Sequence, residues 1–245
     1  IDNIADDKNE LNIKKKNLLI FKNDFINKNF DNLIIKNMWI LMEENKISIK
    51  IVEDLFDGIE SDLNEVVKFN KKKELLIYSY RVAGTVGLMM AKILGVQNKN
   101  SMKSAIDLGI AMQLTNISRD VIEDMNNNRF YINHDFETIK NTLSMADLFY
   151  ESSFASIKEI PFRFRFAILV ARRIYRKIGA KILHKENIYN YNRSGKIYVA
   201  NLGKLYQTFL SILDLIKLIF INEKNHLRNK EHLLINEEID LNERI

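Results

Sequence analysis

Cysteine is absent, proline occurs once and glycine only eight times in 245 residues. Without cysteine there is neither a disulfide framework nor a thiolate metal site. So few prolines and glycines cannot punctuate the many turns of a β-sandwich or an α/β fold, which favours long helices. No run of about 18 uncharged apolar residues exists, so a membrane-spanning helix is not expected. A one-signed charge is also missing. The 37 Lys and Arg interleave with 32 Asp and Glu for a net charge of +5, and no basic stripe with aromatics forms, so nucleic acid is not an expected partner. No signal-peptide apolar region or basic transit segment stands at the start, which points to a cytoplasmic protein. The chain begins Ile1-Asp2-Asn3-Ile4-Ala5-Asp6 without an initiator Met, in what reads as the middle of a helix, so an upstream segment is expected.

What is present is apolar periodicity. A hydrophobic content of 47% excludes a disordered chain and suffices for one sizeable core. Helical spacing predicts helices over 29–44, 49–65, 74–95, 101–125, 136–158, 162–186 and 201–220. Ser48 is the expected N-cap of the second, Gly95 the C-cap of the third, and Pro161 a first-turn residue. The reading is an all-α, single-domain helical bundle over residues 1–220, followed by a charged C-terminal tail over 221–245 that forms a surface helix or frayed end. Residues 205–220 read as a core helix, with contact to a membrane surface as the alternative.

One helix carries a stripe out of place. Along Gly109–Asp124, the side chains of Gln113, Asn116, Asp120 and Asp124 share an arc of about 80° over three turns of an ideal helix. That arc adjoins the apolar face of Ile110, Ile117 and Val121 instead of opposing it. Inward carboxylates in a bundle are costly unless something pairs with them. Acids at i and i+4 suit hard cations such as Mg²⁺ that bridge to phosphate oxygens. A second such pair, Asp2 and Asp6, could face the first across the bundle. In Tyr78–Met90 two glycines, Gly84 and Gly87, sit mid-helix. They serve either close helix packing or the space for a long apolar substrate.

These residues resemble a known family. Tyr78–Met90 is similar to the YxYxVAGTVGLMM stretch of the squalene/phytoene synthase family. Residues 105–131 resemble its second aspartate-rich signature with a GRxY-like end, and Asp2–Asp6 resembles the first, with Asn3 at the usual second Asp. Leu55–Leu63 and Ile174–Gly179 match further blocks. Asn128 stands at the Gly of the GRxY-like end, and Asn133 close to a usual Pro.

The resemblance implies the isoprenoid synthase fold with a central apolar cavity. The implied reaction is a Mg²⁺-dependent head-to-head condensation of two geranylgeranyl diphosphates, through prephytoene diphosphate, to 15-cis-phytoene in carotenoid biosynthesis. Mn²⁺ is the alternative metal and no NADPH is expected. By matched motif, Asp2, Asp6, Asp120 and Asp124 would hold the metal. Gln113, Asn116, Arg119 and Arg193 would bind substrate beside Gly84 and Gly87, and Tyr78 and Tyr131 would be catalytic. Arg119 points off the stripe, where an ion pair is the other reading. Peripheral membrane contact, at the inner face of a membrane, and downstream carotenoid enzymes are the further expected partners. The alternatives are a dehydrosqualene or presqualene-type synthase using farnesyl diphosphate, and a non-catalytic relative acting as an assembly factor.

Overall fold

The structure, a computed structural model, describes residues 10–221 and 229–245. Helices begin where the sequence supplies a side-chain acceptor for the unpaired amides of a first turn. After α1 (Leu11–Ile26), Asn32 accepts the Ile34 amide at 3.0 Å to open α2 (Leu33–Glu44). Ser48 accepts the Lys50 amide at 3.3 Å to open α3 (Ile49–Ser61). The two-residue strand β1 (Val67–Lys68) leads into α4 (Lys72–Ser79), a π-helical segment (Tyr80–Gly84) and α5 (Thr85–Ile93). Gly95 follows with φ +81°, the left-handed C-terminal turn expected of it. Asn98 caps α6 (Lys99–Asn126), three residues ahead of the expected start at Ser101.

Strand β2 (Arg129–Phe130) pairs in parallel with β1, Val67 opposite Arg129 and Lys68 opposite Phe130. Asn128, just before it, has φ +58°. That is why a Gly or Asn belongs there: other side chains pay heavily in the left-handed region. Asp135 caps α7 (Phe136–Phe154), which tightens into a 3₁₀ turn (Ala155–Glu159). Pro161 is the N-cap of α8 (Phe162–Leu183), one position outside the first turn. Then come α9 (Ile188–Arg193), α10 (Asn201–Phe220), α11 (Lys230–Asn236) and a last 3₁₀ turn (Leu241–Glu243).

The expected all-α class holds, and the predicted helix over 74–95 is where the backbone departs from it. The π segment inserts one wide turn at the tyrosine–glycine stretch, a feature often found at functional sites. It is wedged on both sides. A Cβ on Gly58 of α3 would lie 2.8 Å from both Arg81 Cβ and Val82 Cγ1, and one on Gly109 of α6 would lie 2.2 Å from the Ala83 carbonyl oxygen. One turn on, a Cβ on Gly87 would lie 2.2 Å from the Ala105 carbonyl oxygen. The glycines therefore let α6 cross the π segment and α5 in backbone contact.

Two expectations fail against the packing. The C-terminal segment is not a solvent-exposed tail from residue 229 on. His232, Ile235, Ile239 and Leu241 are buried, and Ile235, Ile239 and Leu241 join the same core as Leu18, Phe56 and Phe149. Two long-range polar contacts anchor it. His232 Nε2 lies 2.9 Å from Asp107 on α6, whose carboxylate also accepts from the Ser152 hydroxyl. Arg244 donates to both oxygens of the buried Asp54, at 2.9 and 3.1 Å, while the Tyr80 hydroxyl donates to the same carboxylate at 2.8 Å. Charge content alone misled here, because the apolar residues between the charges find the core. Nor is α10 a core helix. Phe209 is 64% and Leu202 83% exposed, while Ser211 is fully buried.

Two substitutions test this architecture by urea denaturation. Gly109→Ala places a methyl against backbone that cannot yield cheaply, and is expected to cost about 2–3 kcal/mol. Arg244→Ala leaves Asp54 buried without its cation and is expected to cost about 3 kcal/mol, whereas a loose tail would show no change.

Candidate active site

Beside the α5–α6 crossing lies a cavity of about 370 Å³. Val82, Val86 and Met90 line one wall, Leu108 and Met112 another, and Ile168 and Tyr175 of α8 a third. Gln113 and Asn116 are its polar end. Asn116 Oδ1 is buried there with no hydrogen-bond partner among the described residues. An orphaned acceptor in an apolar pocket costs about 1–3 kcal/mol, so it marks a place where a ligand group or ordered water belongs.

One turn further along, α6 kinks. Asp120 has φ −105° and ψ 15° inside the helix. The cause is Tyr191 of α9, whose hydroxyl lies 3.0 Å from the Ser118 carbonyl and 2.9 Å from that of Arg119, both of which it can serve as donor. A side chain inserted into the carbonyl ladder is a common origin of a helix kink. The straight-helix projection of the stripe therefore ends at Asp120. Up to Asn116 the stripe looks into the cavity. Beyond it, Asp120 is held by Arg119 through two bonds, Nε to Oδ1 at 2.8 Å and Nη2 to Oδ2. Lys196 approaches Asp120 to 3.8 Å and pairs with Glu123 at 2.7 Å. Arg119 thus makes the ion pair that its angle on the helix allowed.

Asp124 is the electrostatically strained member. Burial first, then the neighbouring Asp120, push its carboxyl up to about 7; Asp62 and Glu123 add to the rise and Arg129 opposes it. Strand pairing explains the crowding, because β1–β2 brings the segment after Asp62 alongside the segment after Asp124. Arg129 is pushed down by its own burial, yet the surrounding Tyr131, Asp62, Tyr78 and Asp124 hold it above its ordinary value overall.

Tyr78 and Tyr131 come together on one carboxylate. The Tyr78 hydroxyl donates to Asp62 Oδ2 at 2.7 Å and the Tyr131 hydroxyl to Oδ1 at 2.6 Å, leaving the two phenol oxygens 3.0 Å apart. Their rings stack at 4.8 Å, with Phe69 packed against both. Burial and the Asp62 charge raise both phenols well above their usual range. In this arrangement they are hydrogen-bond donors and do not ionise.

The remaining expectations are placed as follows. Gly87 lines the cavity, whereas Gly84 is packed under Tyr80 and Ile106, at 3.0 and 3.1 Å from a built Cβ. Arg193 is exposed and bonded to Tyr189 of its own helix at 2.7 Å, away from the aspartates. Lys196, three residues on, is the cation that approaches Asp120. Asp2 and Asp6 lie outside the described residues. Asp62, Arg129, Lys196 and Tyr191 were not singled out from sequence. Asp62 sat within a matched block and Arg129 within the GRxY-like end, but nothing in the spacing tied either to the aspartate stripe.

Among the described residues no group of three or more His, Asp or Glu is placed to hold a metal ion. Asp120 and Asp124, one turn apart on α6, are a pair of carboxylates crowded with negative charge, and such an all-oxygen pair fits one side of a site for a hard divalent cation.

The comparisons with known proteins decide the family. The profile of the family described as squalene/phytoene synthase matches residues 1–136, more than half of the chain. The chain belongs to the squalene/phytoene synthase family. It is 37% identical over 147 residues to the 15-cis-phytoene synthase of Paracoccus sp. (strain N81106 / MBIC 01143), covering 53% of this chain and 48% of that one. It is 35% identical over 150 residues to the 15-cis-phytoene synthase of Pantoea ananas, with the same coverage. The match to phytoene synthase 1, chloroplastic, of Zea mays is 31% over 186 residues, 65% of this chain and 44% of that one. The chain thus spans about half the length of the curated relatives it matches. A solved dehydrosqualene synthase in complex with ligand superimposes with a TM-score of 0.68 at 24% identity, over 88% of this chain and 82% of that one. That likeness is one of fold, and it places the squalene/phytoene synthase family member described here in the isoprenoid synthase architecture. No described helix is long and apolar enough to cross a membrane.

The carboxylate crowding has a measurable consequence. Asp124→Asn relieves repulsion from Asp120 and Asp62, so with chelator present the variant is expected to be more stable than wild type, by about 1 kcal/mol. Thermal unfolding in EDTA checks the sign; a clear loss of stability would show that the Asp124 charge is compensated in the fold.

Proposed function

We propose that this chain carries the core of a phytoene synthase, which joins two geranylgeranyl diphosphates head to head and releases two diphosphates on the way to 15-cis-phytoene. The observation that carries the reading is the apolar cavity, closed at one end by Gln113 and the unpartnered Asn116 oxygen, with Asp120 and Asp124 on the same helix just beyond. A prenyl diphosphate has the same division, a long hydrocarbon and one multiply charged end. The named relatives at 35–37% identity support the C20 substrate.

In this proposal Asp120 and Asp124 would hold Mg²⁺, or Mn²⁺ in its place, and Asp2 and Asp6 would supply the second pair of carboxylates. Bound there, the metal supplies positive charge against the leaving diphosphate, which lowers the cost of breaking the allylic C–O bond. Arg119, paired with Asp120, puts a guanidinium on the side where the diphosphate would lie. Lys196 adds a second positive charge on the same side. Val, Leu and Met side chains give the cavity an apolar lining, which suits a prenyl chain and disfavours the water that would quench an allylic cation before the second chain's double bond attacks it. Asp62 holds Tyr78 and Tyr131 as donors. As un-ionised donors, their O–H groups can be re-aimed at a diphosphate oxygen, the stacked rings staying packed against Phe69. Asn116 and Gln113 orient the polar head at the cavity mouth.

The test is a product assay with geranylgeranyl or farnesyl diphosphate and Mg²⁺, on the chain extended by its natural flanking sequence. An Asp120→Asn, Asp124→Asn double variant runs alongside. Phytoene from the C20 substrate, reduced by about a thousandfold or more in the variant, is the expected result. A C30 hydrocarbon from farnesyl diphosphate alone would keep the chemistry and reassign the substrate. No diphosphate release by the folded protein would leave the non-catalytic, assembly-factor reading.

A further inference from the structure

Helix α10 is built inside out. The residues that face the protein body are Gln207, Ser211, Asp214 and Leu218, all buried, and three of these four are polar. Asp214 lies against Arg173 of α8, which donates to it through Nε and, at 2.8 Å, through Nη2. The face turned outward carries Leu202, Leu205, Phe209, Ile212, Ile216 and Ile219, between 44% and 83% exposed. A helix on a water-exposed surface has the opposite arrangement.

The outward face has a specific spacing. Its six residues are separated by three, four, three, four and three positions, the seven-residue repeat that seats one helix against another. Tyr206, Leu213 and Phe220 widen it along one flank. Each large side chain offers on the order of 150–250 Å² when free. Nine of them at roughly half to three-quarters exposure leave on the order of 1,000 Å² of apolar surface, more than monomers usually show to water. Paired with an identical face, that is about 2,000 Å² in total, the size of a stable specific interface.

We propose that the outer face of α10 is a homodimer interface, packed against α10 of a second copy of this chain across a two-fold axis. An isologous contact requires a patch that complements itself. A seam without a single charged residue does so, because no ion is buried without a partner when it meets its own copy. A lipid surface fits less well. Helices that lie in a membrane interface carry Lys and Arg along the edges of the apolar face. On α10 the cations are Lys204 and Lys217, and the Lys217 ammonium turns back over the Phe154 ring at 5.3 Å.

The absence of cysteine makes the interface directly testable. Sedimentation equilibrium over about a hundredfold range of concentration, in detergent-free buffer, is expected to give twice the chain mass for the wild type. Phe209→Glu is expected to weaken association by about a hundredfold or more. Leu33→Glu, an equally exposed apolar site on α2, is expected to leave it unchanged. Single-cysteine variants at Leu205, Phe209, Ile212 and Ile216, mild changes that keep the helix, are expected to form oxidised covalent dimers where one at Leu33 does not. A wild type that stays monomeric throughout, or a dimer that survives Phe209→Glu and fails to cross-link through α10, overturns the proposal. So does a monomer that binds phosphatidylcholine vesicles and loses that binding with Phe209→Glu, which assigns the face to lipid. So does a chain that dimerises and cross-links through α10 as given but stays monomeric and uncross-linked once the natural flanking sequence is restored, which assigns the face to that sequence.

Discussion

Two helices cross here at backbone distance, and the architecture of the site follows from that contact. Gly109 lies against the Ala83 carbonyl and Gly87 against the Ala105 carbonyl, each too close to admit even one methyl. The contact brings α6 alongside the π segment and α5. The apolar cavity lies beside this contact, lined by Val86 and Leu108, the neighbours of the two glycines. The π turn itself is held by Tyr80 on Asp54 and by the Thr85 hydroxyl on the Arg81 carbonyl at 2.7 Å.

The polar end of the pocket is organised by competition for carboxylates. Asp62 accepts two phenols, Asp120 takes a guanidinium, and Asp124 is left with a distant Arg129 and several like charges. Carboxylates pushed together in this way are often found at functional sites. The kink imposed by Tyr191 belongs to the same design, since it separates the part of α6 that faces the cavity from the part that bears the acids.

Stability is supplied from far away in the chain. The C-terminal segment reaches back to Asp54 and Asp107, 190 and 125 residues earlier, with Arg244 and His232. Both aspartates are buried on helices that border the crossing, α3 and α6. The segment therefore braces the elements on which the cavity depends, and does so with groups whose loss would strand a charge in the core.

How much of this was legible depends on the range of the interaction. The all-α class, most helix spans, the caps at Ser48 and Gly95 and the inward stripe of Gln113 and Asn116 follow from periodicity and local capping, which act within a turn or two of the chain. The left-handed backbone at Asn128 is local too. Other features needed tertiary structure because their causes lie dozens of residues away. The kink at Asp120 goes with the Tyr191 hydroxyl on its carbonyl ladder, Tyr78 and Tyr131 meet on Asp62, and Lys196 approaches Asp120. Periodicity also states that α10 has two faces without stating which is covered. By itself, the sequence determined the helices and the chemistry they carry. Only the tertiary structure decided which side chains meet, because contact depends on the crossing of helices and not on their composition.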